Sequence, residues 1–494
     1  MLRQTTTGIG RPFLSNFAPV QQRRSELLAV FTQPHPEPHA EARDLQPAKP
    51  VNAPQHPHLP EAALQGPAGQ AVRTIAPHTE ADPAALLLQL LTVFGNLLGR
   101  GPHCLVDATR HSLNLYLVLV GDSSKARKGT SWNHVARLFA EVDQPWLTTR
   151  ITTARLTAHA LTQTLRNQQP PIDHRLLALS EEFAPVLHSL KRGDANLSSL
   201  LRTAWDGGHL PSLDPSLDPS LERSFDRSFD QSFAPRQHPH PTPTHVSLIA
   251  HITHRELAQN LPRAEAHNGF ANRCLWARVH RSNCLPEGGS LPTTDLLPIA
   301  RELRRALDWA AATPEILFRR DAAARDLWQD RYPTLSQLQP GLRGAATSRA
   351  EAQVLRLSAI YAALDSTPVV GVSHLEAALA VWDYCYASAA LLFGMSTGDP
   401  VADRIREAIE ISSEGLSRHQ ITRLFHGHVD GPRIEAALET LVSVGALAAQ
   451  AKPTAGRPSI RWALVEATEP EENEENEGTE ESLTEDHAPA NEPK

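Results

Sequence analysis

The chain has 494 residues, of which 41% are hydrophobic and 21% charged, so it is too long for one ordinary domain and has the composition of a soluble globular protein. Its four cysteines form no C-x-x-C pair, which excludes a zinc ribbon of that type and argues against a disulfide framework. No apolar run reaches the roughly 18 residues of a membrane span, and the first residues lack the apolar centre of a signal peptide. We therefore expect a cytoplasmic protein with no membrane partner.

The net charge of −8 is concentrated at the C-terminus. Residues Glu466 to Lys494 carry a charge of −11, which leaves +3 for the rest of the chain. A mildly basic body permits nucleic-acid binding without requiring it. The tail itself is predicted to be disordered, and it either mimics nucleic acid or only aids solubility.

Residues 1–78 are predicted to form a disordered arm, because their Pro/His-rich sequence contains too little apolar surface to offset the entropy of ordering. Order is expected to begin with a buried helix from Glu80 to Arg100, which has Pro83 suited to its first turn. A short strand from His103 to Val106 follows.

The stretch LYLVLVGDSSKARKGTSW has the layout of a phosphate-binding loop. An apolar strand from Leu115 to Val120 ends at Gly121, and an amphipathic helix is predicted from Trp132 to Ala140. In such loops a glycine lets the backbone approach a phosphate, the helix start presents N–H groups, and a lysine neutralises the charge. A basic turn with no nucleotide role is the alternative.

The stretch departs from the Walker A pattern G-x-x-x-x-G-K-[ST]. Ala126 stands at the position of the second glycine, and Arg127 is inserted before the lysine. The residues expected to bind the nucleotide ATP are Gly121, Lys128, Gly129, Thr130 and Ser131, with Thr130 or Ser131 reaching Mg²⁺.

A second apolar strand, Leu176 to Ser180, is followed by Glu181 and Glu182. Paired acids after a strand fit a Walker B site, where Glu181 holds Mg²⁺ and Glu182 polarises the attacking water. Two acids favoured by the dipole at a helix start are the alternative. The position of the acids, about 50 residues after the phosphate loop, favours the catalytic interpretation.

Six near-identical tetrapeptides from Pro211 to Ala234 are predicted to be a disordered insertion, which extends over residues 208–244. The next apolar strand, His245 to Thr253, is expected to deliver Thr253 to the terminal phosphate. His245, His251 and His254 also suggest zinc, although no fourth ligand is evident. Arg273 follows a turn and is predicted either to act as an arginine finger or to pair with a carboxylate.

Residues 293–398 are predicted to form a helical subdomain, in which Arg349 and Arg356 share one helix face that could reach back to the nucleotide. Residues 399–465 have the order of helices and strands of a winged helix. Its third helix carries few basic residues, so Arg457 and Arg461 on the wing are the better DNA contacts. DNA binding and protein docking both remain open for this module.

Taken together, seven segments between Thr79 and Gly394 resemble domain of unknown function 3987, a family of primase-helicase-like proteins of phages and mobile elements. They are EADPAALLLQLLTVFGN, VGDSSKARKGTSW, LLALSEEFAPVL, LLRTAWDGG, HVSLIAHITHREL, NGFANRCLWARVHRS and RAEAQVLRLSAIYAALD.

This resemblance implies an α/β P-loop NTPase with a RecA- or AAA-like core, and Walker A roles for Lys128 and Thr130. It also implies that Glu181 and Glu182 are the acidic pair and that Arg273 is the arginine of the NGFANR segment. The chain departs from the family at Ala126, and it shows no primase or polymerase domain before the core, so a separate primase or polymerase chain is an expected partner.

The expected function is an ATP-dependent DNA-acting motor, a helicase or replication ATPase that assembles as a homo-oligomer and acts on single-stranded DNA. The alternative is a DNA-binding initiator or regulator that uses nucleotide as a switch and unwinds nothing. The acidic pair favours the enzyme, whereas the weakly basic body favours the switch.

Overall fold

The computed structural model describes residues 56–153, 156–166, 173, 175–191, 195–210, 242–394, 397, 399–410, 412, 415–443, 445–452 and 459–465. Residues 1–55 of the predicted arm, residues 211–241 of the predicted insertion, the acidic tail and Arg457 lie outside these residues.

The helices of this part of the chain are α1 (Gly66–Ile75), α2 (Pro83–Leu98), α3 (Lys128–Thr149), α4 (Ala158–Arg166), α5 (Ala184–Lys191), α6 (Ala195–Trp205), α7 (His254–Asn260), α8 (Arg263–His267), α9 (Thr293–Ala311), α10 (Ala322–Leu335), α11 (Gly341–Thr347), α12 (Ala350–Leu364), α13 (Val372–Phe393), α14 (Pro400–Glu410), α15 (Arg418–Arg423) and α16 (Gly431–Ser443). The strands are β1 (Pro102–Val106), β2 (Thr109–Ser112), β3 (Tyr116–Val120), β4 (Ile151–Thr152), β5 (Arg175–Ser180), β6 (His209–Leu210), β7 (Thr242–Pro243), β8 (His245–Ile252), β9 (Cys274–Arg278), β10 (Ile316–Arg320), β11 (Val369–Val370), β12 (Leu416–Ser417), β13 (Leu447–Lys452) and β14 (Ser459–Leu464).

The central sheet has the order β4-β5-β8-β3-β9, and all its described pairings are parallel. Both faces of the sheet are covered, which explains why β3 is apolar throughout and β8 at five of its eight positions. Leu117 and Leu119 pack on the face with α2 and α3, whereas Val118 and Val120 pack on the face with α5 and α6. The predicted α/β class is therefore confirmed.

Helix α2 begins at Pro83, three residues after the predicted start, with this proline in the first turn as expected. Asp82 accepts a hydrogen bond of 2.9 Å from the backbone N–H of Ala84, and Pro83 occupies the first turn. Within this helix Asn96 joins neighbouring strands, because its amide donates to the carbonyls of Leu176 at 3.1 Å and His245 at 3.2 Å. This buried helix fixes the sheet that carries the candidate site.

Three predicted boundaries differ from the structure. The ends of the insertion predicted to be disordered over residues 208–244 form β6 and β7, which pair antiparallel. Residues 66–75, assigned to the disordered arm, form α1, whose residues Ala71 and Val72 are buried in the main core. The helical subdomain is not separate either, because its strand β10 pairs in parallel with β1, and α12 and α13 contribute to the same core as α2. Burying these apolar faces against the sheet is what joins the segments.

The C-terminal module contains α14, α15 and α16 and an antiparallel sheet of order β12-β14-β13. Its small core includes Ile405, Ile421, Ile434 and Leu441. No helix in the described ranges is long and apolar enough to span a bilayer.

Candidate functional site

The loop between β3 and α3 begins at Gly121, where packing leaves no room for a side chain. A Cβ at this position would lie 2.5 Å from the Cβ of Ala126 and 2.5 Å from the carbonyl oxygen of Val279. The backbone N–H of Gly121 donates to the carbonyl of Ile252 at 3.1 Å. A glycine is therefore needed for the loop to approach the residue that follows β9.

Ala126 is compatible with this loop although the Walker A pattern has glycine there. The residue is 2% exposed, and it is not among the residues with positive φ. The left-handed positions of the loop are Ser124 and Arg127, each with φ of 52°. Ala126 therefore does not adopt the strained left-handed conformation, which Ser124 and Arg127 adopt instead.

Lys128 is the first residue of α3, and its side chain folds back across the loop. Its Nζ donates to the carbonyls of Gly121 at 2.6 Å and Asp122 at 3.3 Å. Burial lowers the pKa of this ammonium, while Asp122 and Glu256 act in the opposite direction. The first N–H groups of a helix lack acceptors inside the helix, so this turn places a cation beside free donors.

The hydroxyl groups of Thr130 and Ser131, the two predicted to reach Mg²⁺, lie in different surroundings. Thr130 and Gly129 line an open cavity of about 900 Å³, and a Cβ at Gly129 would meet nothing within 4 Å. Ser131 is fully buried; its hydroxyl accepts from Gln89 of α2 at 2.7 Å and donates to the carbonyl of Lys128 at 2.6 Å. The prediction that Ser131 binds the nucleotide or Mg²⁺ is therefore wrong, because this side chain faces the core.

The two acids line the same cavity as Lys128. Glu181 and Glu182 follow the last residue of β5, and both side chains are exposed. Their turn is fixed to β8, since the N–H of Phe183 donates to the carbonyl of His251 at 2.9 Å. Strand β8 lies between β5 and β3, so the cavity spans three strands.

Thr253 also lines this cavity, at the end of β8. Its hydroxyl is already used, however, because it forms the capping box of α7 with Glu256, with 2.8 Å between Thr253 Oγ1 and Glu256 Oε2. The predicted position is confirmed by the structure. Delivery of this hydroxyl to a phosphate stays a prediction, and it would require the cap to share its oxygen.

His251 is a site residue whose role the sequence did not reveal. It lines the cavity, is 3% exposed, and its Nε2 is buried without a hydrogen-bond partner among the described residues. Burial lowers the pKa of the imidazole to about 4, and Lys128 adds to the effect. A hydrogen bond with a molecule in the cavity, water included, would satisfy this atom. The available signal was a histidine near the end of a mostly apolar strand, close to the predicted site residue Thr253.

The zinc alternative for His245 and His251 is excluded by their separation along β8. Six residues of strand extend over about 20 Å, too far for one metal ion. His245 instead forms a 2.9 Å hydrogen bond through Nε2 with the carbonyl of Gly95.

Arg273 lies at the opposite end of the sheet from the loop. It directly precedes β9, whose first residue, Cys274, pairs with Tyr116 at the start of β3. The loop, in contrast, follows Val120 at the other end of β3. The side chain is 7% exposed and forms an ion pair of 2.6 Å with Asp206. The structure therefore supports the carboxylate pairing and contradicts the arginine finger, because a finger needs an accessible guanidinium.

Arg349 and Arg356 gather at the same place rather than at the nucleotide. Arg356 is 1% exposed, donates to Asn114 and Trp205, and has its guanidinium 3.5 Å from the Trp205 ring centroid. Burial lowers its pKa to about 9. Arg349 lies 3.7 Å from Asp206. These arginines join α12 to α6, so the predicted contact with nucleotide is wrong.

Most arginines in the described part of the C-terminal module form ion pairs or hydrogen bonds within it. Arg461 lies on β14 and donates to the carbonyl of Gly415 at 3.2 Å. Arg433 of α16 forms an ion pair of 2.5 Å with Asp399. A DNA contact by Arg461 stays a prediction, and it would have to compete with this hydrogen bond.

Comparison of the chain with protein-family models gives no match, and comparison with curated proteins finds no similar one. The resemblance to domain of unknown function 3987 therefore stays a prediction from the motifs.

Proposed function

We propose that the protein is a P-loop ATPase with a RecA- or AAA-like core. The observation that carries this proposal is the convergence of Lys128, Thr130 and the pair Glu181 and Glu182 in one cavity. They come from two separate strand ends, and their chemistry is what phosphoryl transfer to water requires.

The strand order supports the same assignment. The acids follow β5, which is separated by β8 from the loop strand β3. This spacing leaves room between the lysine and the acids for a triphosphate, and it places His251 of β8 between them. Ligands of open α/β sheets bind at the carboxyl ends of the strands, where all of these residues lie.

The residues fit Mg²⁺ and ATP by their donor types. Thr130 and Glu181 offer the oxygen ligands that Mg²⁺ prefers, and bound Mg²⁺ would neutralise charge on the phosphates. Lys128 and the first N–H groups of α3 bind phosphate oxygens, and the carboxylate of Glu182 accepts a proton from the attacking water. The buried imidazole of His251, neutral at pH 7, supplies one polar contact to the terminal phosphate or to that water.

Action on DNA is the second part of the proposal. It is supported by the resemblance to primase-helicase-like proteins and by a C-terminal module with the elements of a winged helix. A homo-oligomeric helicase or replication ATPase, working on single-stranded DNA in the cytoplasm with a separate primase or polymerase chain, is the function we infer.

One observation favours the alternative of a nucleotide-switched DNA-binding regulator. The basic residue Arg433 of the third helix of the module is paired with Asp399, so that helix offers little to a phosphate backbone.

The motor and the regulator are distinguished by measuring ATP hydrolysis by the purified protein with and without single-stranded DNA. A DNA-stimulated, Mg²⁺-dependent turnover supports the motor. Nucleotide-dependent DNA affinity without turnover supports the switch.

A further inference from the structure

A second, smaller cavity of about 200 Å³ lies beside the phosphate loop. Its lining includes Asp122 and Lys125 of the loop, together with Arg278 and His280 at the end of β9. The main cavity uses other loop residues, among them Ser124 and Lys128. The loop thus contributes to both cavities.

The two cavities differ in which neighbour of β3 they reach. The main cavity includes residues at the ends of β8 and β5. The second cavity includes His254, just after β8, but it also reaches the end of β9, the neighbour of β3 on the other side, which the main cavity does not. If the terminal phosphate lies near Glu182, the remainder of the nucleotide must extend away from β5. That direction leads across β3 to the second cavity.

A flat aromatic surface is available in this cavity. The rings of His56 and His280 are stacked with 4.5 Å between centroids and an angle of 25° between planes. His280 is held firmly, because Asp82 accepts from its backbone N–H at 2.9 Å and lies 2.9 Å from its Nδ1. Bases stack on flat side chains of this kind.

The charges of the cavity suit the part of a nucleotide next to its base. Lys125 and Arg278 have no ion-pair partner within the described part of the chain, whereas Arg281 is paired with Glu80. The two unpaired cations can bind the first phosphate and the ribose oxygens. Asp122 adds an acceptor for a ribose hydroxyl or a base amino group.

We propose that this cavity is the nucleoside subsite, in which the base stacks on the outer face of the ring pair formed by His280 and His56, and the cations Lys125 and Arg278 bind the α-phosphate and ribose. The inference rests on the proposed nucleotide function. It assigns residues to the base and the ribose, for which the proposed function names none.

The test compares Mg²⁺-ATP with Mg²⁺-tripolyphosphate, which has phosphates but no nucleoside, by calorimetric titration. Wild-type protein is expected to bind ATP about ten-fold or more tighter than tripolyphosphate, the effect of stacking one base. His280→Ala should lose most of this preference while keeping its tripolyphosphate affinity. His280→Phe, which keeps a flat ring, should retain much of it, and His159→Ala on an exposed face of α4 serves as the control.

Equal affinity of the wild type for ATP and tripolyphosphate would overturn the subsite and leave the phosphate site intact. An unchanged preference in a folded His280→Ala protein would also overturn it. If neither compound binds to the wild type, the proposed function fails together with the subsite.

Discussion

Oε2 of Glu80 accepts a hydrogen bond of 2.7 Å from Nε of Arg127, so the segment before α2 holds the loop before α3. Glu80 also pairs with Arg281 and accepts from the backbone N–H of Leu285 at 2.8 Å. Arg127 has the left-handed φ of 52°, a conformation that non-glycine residues rarely adopt. The contacts of Glu80 therefore stabilise a strained residue at the start of the phosphate-binding helix.

Glu80→Gln is expected to weaken nucleotide binding by about ten-fold without unfolding the protein, because a neutral amide holds the two arginines less firmly. Titration with a fluorescent ATP analogue measures the change. Glu61→Gln is the control, since the Glu61–Arg73 pair is exposed and lies in another part of the fold. Equal affinities of the wild type and Glu80→Gln would show that the loop does not depend on this contact.

Lys128→Ala is expected to abolish measurable ATP binding, because the phosphate charge would lack its cation in a partly desolvated loop. The loss corresponds to about 2–4 kcal/mol. The exposed Lys191→Ala, on the last residue of α5, is the matched control. Unchanged affinity of Lys128→Ala would move the nucleotide site elsewhere.

Arg356→Ala is expected to destabilise the protein by about 3 kcal/mol or more, because it removes the hydrogen bonds to the buried oxygens of Asn114 and Trp205 and opens a cavity beside the Trp205 ring. Nucleotide affinity of the folded protein should be unaffected. Urea unfolding and nucleotide titration measure the two quantities. A variant with normal stability and weak nucleotide binding would restore the rejected role of this arginine.

His245 makes folding sensitive to acid. Burial lowers its pKa from 6.5 to about 4, while an unfolded histidine keeps its ordinary value. Between these pH values the unfolded chain binds a proton at His245 that the native protein does not. The contribution of His245 to the free energy of unfolding is therefore fully present above about pH 6.5 and is lost as the pH drops toward 4. Urea unfolding of His245→Gln should show a pH dependence shallower by up to about 1.4 kcal/mol per pH unit. An identical pH dependence in the wild type and His245→Gln would show that the pKa of His245 does not differ between the folded and unfolded states.

The local parts of the site were predictable from the sequence. The apolar strand, Gly121 and Lys128 follow one another directly, and the pair Glu181 and Glu182 follows a strand of the same kind. Side-chain direction was not predictable, because Ser131 turns to Gln89 and Arg273 to Asp206 through packing between distant segments. The pairing of β1 with β10 likewise joins residues about 200 positions apart, so no local pattern could show that the helical region shares the core.

Glu182→Gln tests the catalytic assignment most directly, with ATP binding and ATP turnover measured on the same preparation. The amide keeps the shape of the side chain and removes no proposed Mg²⁺ ligand, so ATP affinity should stay within about two-fold of the wild type. Turnover should fall by about 10²–10⁴, the usual effect of losing a positioned base. Hydrolysis at the wild-type rate by Glu182→Gln, or the absence of any Mg²⁺-dependent hydrolysis by the wild type, would contradict the account of this protein as a P-loop ATPase.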